Sequence, residues 1–144
     1  MTIEAKRFGL RTVLTVTTGR LLDGISDLYA ILGWMTGEDP MTHQLPRFNR
    51  ECNPWLRQWF PALAAADSRL AHLDALIGDN RNAEFRELAI QTWIAHLRDE
   101  FPDIDSEYRV FQIPQDEHER RCPIEELVEM RGTADGIVIV ETGK

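Results

Sequence analysis

Residues 11–20 read Arg11-Thr12-Val13-Leu14-Thr15-Val16-Thr17-Thr18-Gly19-Arg20. β-Branched side chains dominate positions 11–17 and partly alternate with others, the pattern of a strand, and Gly19 marks a sharp turn behind it. A strand here makes the chain a mixed α and β protein, so the fold class turns on this stretch. Downstream, Ile25, Leu28, Tyr29, Leu32 and Met35 recur at the spacing of one face of an amphipathic helix. Asp23 or Ser26 is placed to cap its start, and Gly37 to end it.

A polar connector over residues 38–43 leads to Gln44-Leu45-Pro46-Arg47. Asn53-Pro54 has the form of a helix start, a capping residue followed by Pro, and Pro61 stops the short helix that carries Trp55, Leu56, Trp59 and Phe60. A third helix is expected over residues 62–77, with Leu63, Leu70, Leu73, Leu76 and Ile77 inward and Gly78 closing it. A fourth follows residues 80–82, with Phe85, Leu88, Ala89, Thr92 and Leu97 as its stripe and Phe101-Pro102 as its end. These two read as an antiparallel hairpin. Residues 107–113 look like a strand, 115–121 a polar loop, and 123–130 a short helix opened by Pro123. Residues 136–141, Gly-Ile-Val-Ile-Val-Glu, form the clearest strand pattern, a continuous apolar run. The expected architecture is therefore α+β, or a small α/β arrangement. It is one domain over residues 1–144, with about five helices and a small three-stranded sheet.

The chain has 144 residues, 43% hydrophobic and 28% charged, ordinary values for a globular protein with a core of its own. No apolar run approaches the roughly 20 residues of a membrane span, and residues 1–7 hold no secretory signal. Cys52 and Cys122 make neither a disulfide framework nor a metal pair of known spacing, which fits a reduced, cytoplasmic setting. The net charge of −8 argues against duplex nucleic acid as a partner. Residues 1–60 hold 7 basic and 6 acidic side chains, whereas 61–144 hold 9 and 18. Of the 16 basic residues, 14 are Arg, whose fork of donors suits phosphate and carboxylate; a GC-rich genome is the other explanation.

Catalytic signatures are missing. There is no G-x-S-x-G elbow, and His43, His72, His96 and His118 show no H-E-x-x-H spacing, although His72 and His96 could meet across a hairpin. Glu125, Glu126 and Glu129 read as a solvated helix face, and Trp34, Trp55, Trp59 and Trp93 as core. No metal or cofactor is implied. Two segments remain as candidate binding elements. Thr17, Thr18 and Arg20 occupy what reads as a strand-to-helix turn, where free N–H groups and hydroxyls face an anion. Thr42-His43-Gln44-Leu45-Pro46-Arg47, followed by Arg50 and Arg57, gathers an imidazole, an amide and guanidinium groups beside two prolines.

Residues 17–22 (Thr-Thr-Gly-Arg-Leu-Leu), 28–37 (Leu-Tyr-Ala-Ile-Leu-Gly-Trp-Met-Thr-Gly), 42–47, Glu51-Cys52 and Pro54-Trp55-Leu56 resemble a family of small phage and prophage proteins of unknown function. The tail, with Pro123-Ile124-Glu125-Glu126-Leu127, Met130 and the run at 137–140, resembles it more loosely. The chain also resembles the phage anti-Thoeris sponges, which bind cyclic ADP-ribose-type signals or cyclic oligonucleotides without cleaving them. The likeness stops at the shared motif and does not extend to individual binding residues.

That resemblance implies a counter-defence protein of the host cytoplasm. It would sequester a phosphorylated nucleotide signal as a homo-oligomer. By residue type rather than by the resemblance, Thr17, Thr18, Arg20, His43, Gln44, Arg47, Arg57 and Arg109 are the groups expected to hold such a ligand, with Trp55 as a stacking face. Two alternatives stand beside it: an inhibitor that docks on a host protein through the acidic residues 61–144, and an enzyme acting on a nucleotide with His43 as acid or base.

Overall fold

A computed structural model describes residues 4–130. Its elements are β1 (Ala5–Gly9), α1 (Leu10–Thr18), α2 (Ile25–Thr36), a 3-10 turn (Thr42–Gln44), α3 (Leu45–Trp59), a 3-10 stretch (Pro61–Arg69), α4 (Leu70–Ile77), α5 (Ala83–Glu100), β2 (Glu107–Phe111), a 3-10 turn (Gln115–Glu117) and α6 (Pro123–Met130). The fold is α+β. Among the described residues it holds six α-helices rather than about five, and its sheet has two strands rather than three. The strand expected at 136–141 lies outside the described residues. β1 and β2 are antiparallel, with Phe8 opposite Tyr108 and Arg7 opposite Arg109.

The stretch read as a strand, residues 11–17, is helical. Leu10, Val13, Leu14 and Thr17 fall at i, i+3, i+4 and i+7, and all four are buried. Helix formation leaves threonine hydroxyls in need of partners, and here the preceding turn supplies them: Thr15 Oγ1 donates to the Arg11 carbonyl at 2.8 Å, Thr18 Oγ1 to that of Leu14 at 2.6 Å. Burial on nearly every side then outweighs the intrinsic strand preference of the β-branched residues. Gly19 closes the helix with φ 73, a left-handed conformation that a side chain disfavours, and its N–H returns to the Thr15 carbonyl.

The central α1 packs against α2 and α3, and its Val13, Leu14 and Val16 are fully inaccessible along with Leu32, Phe48 and Leu56. α2 ends at Gly37, φ 76, as expected, but it starts at Gly24 without a side-chain cap. Asp23 instead accepts from Thr12 Oγ1 at 3.1 Å and from the Gly24 N–H at 3.0 Å. The inward face of α2 is Ile31, Leu32 and Met35; Leu28 is half-buried, and Ile25 faces solvent.

Asn53-Pro54 does not start a helix. Pro54 lies inside α3, which begins nine residues earlier with Pro46 in its first turn, where a missing N–H has no cost. The helix expected over 62–77 divides into the 3-10 stretch and α4. α5 matches expectation at its start, where Asn82 Oδ1 accepts from the Phe85 N–H at 2.9 Å. Its buried stripe is Ala89, Ile90, Trp93 and Leu97, however, while Phe85 and Leu88 are exposed.

Candidate functional site

Folding residues 10–18 as a helix changes the first candidate segment. Positions 17–20 sit at a helix C-terminus, where carbonyls point outward and anions are disfavoured. Thr18 Oγ1 is used twice, donating to Leu14 and accepting from the Arg20 N–H at 3.2 Å. Thr17 is buried, and its Oγ1 has no hydrogen-bond partner among the described residues. Its carbonyl receives Arg57 Nη2 at 2.5 Å, and Arg57 also holds Asp67 through Nη1 at 2.7 Å.

The second segment is built into a polar core. The 3-10 turn and the first turns of α3 present His43, Gln44 and Arg47 toward the C-terminal arm, residues 114–130. Arg47 Nε donates to Glu126 Oε2 at 2.6 Å and Nη2 to Glu126 Oε1 at 3.0 Å, and Gln44 Nε2 donates to the same Oε1 at 3.0 Å. Arg47 Nη1 serves Glu51 at 2.5 Å and the Glu119 carbonyl at 2.6 Å, and His43 Nε2 bonds the Pro123 carbonyl at 2.6 Å. His118, whose side chain is inaccessible, bridges Glu51 through Nδ1 at 2.5 Å and Glu38 through Nε2, with Phe48 edge-on to its ring.

The guanidinium of Arg47 holds the Glu126 carboxyl down at about 2, and that carboxylate in turn raises Arg47. Glu126 therefore does not lie on a solvated helix face. It points inward while Ile124, Val128 and Met130 of the same helix are exposed.

The remaining candidates are dispersed. Trp55 is half-buried in an aromatic row with Trp59, whose ring meets Phe111 edge-on. Arg109 is exposed on β2, directly across from Arg7. Arg47 and Arg57 share α3 but stand ten positions apart, about 15 Å of helical rise, and have no partner in common. The structure thus unites His43, Gln44 and Arg47, and separately Thr17 and Arg57. It does not gather all of them into one pocket.

Arg20 belongs to a third place. Its Nε and Nη2 hold Asp74 of α4 at 3.2 and 3.0 Å, which raises the arginine and lowers the aspartate. Beside this pair lie two adjoining hollows of about 340 and 390 Å³ that share Leu21, Leu22 and Arg86. Leu73, Ile77 and Asp74 line the first, Ile90, Asp23 and Glu87 the second, and Arg11 and Arg81 complete a rim of four arginines and three carboxylates. Arg11 is paired with Glu87 at 2.7 Å, but Arg81 and Arg86 form no ion pair among the described residues. Sequence reading missed Arg81 and Arg86. Their only signal was position, two arginines flanking the Asn82 cap at the turn between two expected helices.

Other reactive groups are placed without a catalytic arrangement. Burial pushes the Cys52 thiol up to about 12, well away from thiolate chemistry at neutral pH. His72 and His96 do meet across α4 and α5, with centroids 6.0 Å apart and near-parallel rings. Among the described residues no group of three or more His, Cys, Asp or Glu is arranged to hold a metal ion. No helix among them is long and apolar enough to cross a membrane.

The fold and these sites describe a small α+β domain with a buried ionic cluster and a groove rimmed by arginines and carboxylates. Over residues 8–66 the chain matches the family model of a domain of unknown function (DUF7736). The match spans α1, α2 and α3, hence Arg20, His43, Gln44 and Arg47, and ends before Arg81, Arg86 and the arm. No curated protein and no solved structure matches the chain.

Proposed function

We propose that the protein sequesters a phosphorylated small molecule, a nucleotide signal of the cyclic ADP-ribose or cyclic oligonucleotide kind, in the groove around Leu21 and Leu22. The observation that carries this is the pair Arg81 and Arg86: two guanidiniums without carboxylate partners among the described residues, beside an apolar floor, in a chain of net charge −8. Unneutralised Arg forks supply phosphate affinity, and the apolar floor of Leu22, Leu73 and Ile77 suits a base or ribose face. The resemblance of residues 17–56 to phage proteins supports a counter-defence role in a host cytoplasm. Sequestration requires no nucleophile or general base.

Native mass spectrometry and thermal shift with cyclic ADP-ribose isomers and cyclic nucleotides test this reading, and the same spectra give the oligomeric state. Binding that Arg86→Gln and Arg81→Gln each weaken, by roughly 1.5–3 kcal/mol for a charge-assisted bond, supports it. No binding of any of these at saturating concentration ends it. A second reading, docking on a host protein, draws on the exposed Ile124, Val128 and Met130 of α6, interspersed with Glu125 and Glu129. A stoichiometric host protein in a pull-down that Ile124→Asp abolishes would favour it.

A further inference from the structure

The C-terminal arm is attached in an unusual way. Its deeply buried side chains are His118 and Glu126, at 6% and 3% exposure, whereas Ile124, Val128 and Met130 stand 50–69% exposed. An ordinary short surface helix turns its apolar residues inward. Among the described residues α6 itself is held mainly by polar contacts, Glu126 on Arg47 and Gln44 and the Pro123 carbonyl on His43, while the preceding loop adds the Glu119 carbonyl on Arg47 and His118 on Glu51, Glu38 and the edge of Phe48. Polar contacts of this kind contribute little net stability, because water satisfies the same groups when they separate. Segments so attached open locally at low free-energy cost.

The surface beneath the arm has the composition of an oxyanion site. Arg47 is 7% exposed and Gln44 2%, and their Nε, Nη2 and Nε2 donors converge on one carboxylate, that of Glu126, at 2.6–3.0 Å. His43 stands beside Gln44 on the 3-10 turn that leads into the helix of Arg47. A fork plus an amide around one carboxylate is the arrangement proteins use for external carboxylates and phosphates. We infer that Arg47, Gln44 and His43 form a second oxyanion-binding site, distinct from the Arg86 groove, which Glu126 fills in cis as a displaceable internal ligand. A phosphate or carboxylate group and the arm compete for the same donors, so occupancy by one releases the other. Glu51, which also contacts Arg47, keeps the arginine partly compensated when Glu126 leaves.

The test uses the full chain and hydrogen exchange of the α6 amides, with inorganic phosphate, glutarate and chloride compared at equal ionic strength. Phosphate, glutarate or both should speed α6 exchange by about tenfold at saturation while α5 is unaffected, whereas chloride does nothing. An effect of phosphate alone identifies a phosphoryl ligand. An effect of glutarate alone identifies an acidic side chain. Glu126→Gln should bind the active oxyanion more tightly than the natural chain, and Glu126→Gln with Arg47→Gln should not bind it at this site. Unchanged α6 exchange in the natural chain with both oxyanions overturns the inference, whether or not the variants fold. So does an Arg86→Gln variant that abolishes the α6 response, since it would place the anion in the groove.

Discussion

Arg47 and Glu126, 79 positions apart in sequence, meet through two hydrogen bonds of 2.6 and 3.0 Å with both side chains nearly inaccessible. Pairs of this kind are asymmetric in their energetics. Attraction offsets the cost of removing both ions from water, but loss of one partner leaves the other charged and dry.

Because the arm that carries Glu126 opens readily and returns that carboxylate to water, Arg47→Ala should cost only about 1–3 kcal/mol of global stability, whereas Arg47→Met combined with Glu126→Leu should come close to the natural stability. Urea denaturation of the two variants measures both. Equal losses in the two would assign the stability to packing around the pair rather than to its charges.

Acid should loosen the arm first. The Glu126 carboxyl is held at about 2 in the folded chain against an ordinary 4.5, chiefly by its bond to Arg47. A lowered folded value means that its contribution is complete above about 4.5 and disappears as pH falls from there toward 2. Hydrogen exchange across that window should show α6 losing protection before the β1–β2 ribbon does.

Two neighbouring threonines should respond in opposite directions. Thr17→Val removes a buried hydroxyl that has no partner among the described residues and should stabilise by about 1 kcal/mol. Thr18→Val deletes an acceptor for Arg20 and a donor to Leu14 and should destabilise by about 1 kcal/mol. Thermal unfolding compares them, and a shared sign would discount the hydroxyls as the cause.

In α2, Leu32 is fully buried and Leu28 only half-buried. Leu32→Ala should cost about 3–5 kcal/mol, in the upper range for core truncation, and Leu28→Ala clearly less. Denaturant midpoints of the pair order the two positions.

Much of the local punctuation was legible in the sequence. Gly37 ends α2, Asn82 caps α5, and Pro123 opens α6, because each acts through its own backbone chemistry and needs no distant partner. The reading of residues 11–17 failed because propensity favours a strand there. What makes the segment helical is burial by α2 and α3, together with hydroxyl bonds visible only once the helix exists. Pro54 misled in the same manner, since a proline tolerated inside a helix looks like one that begins it.

The polar cluster at 42–47 stands out in the sequence by its residue types alone. Its principal partners, Glu126 and the carbonyls of residues 119 and 123, lie more than seventy positions away, and spacing alone cannot pair them. Arg81 and Arg86 carry no sequence signal of their own, because the lack of an ion-pair partner among the described residues is defined by what surrounds a charge in space.

The orientation of α6 bears on how the molecule tolerates damage. Because Ile124, Val128 and Met130 already face water, unfastening that helix uncovers ionic and amide groups on the remaining body rather than a greasy scar. Cleavage by a protease within residues 119–122, which leaves His118 on the edge of Phe48, would accordingly bare Arg47 and Gln44, a wettable stump with little tendency to clump.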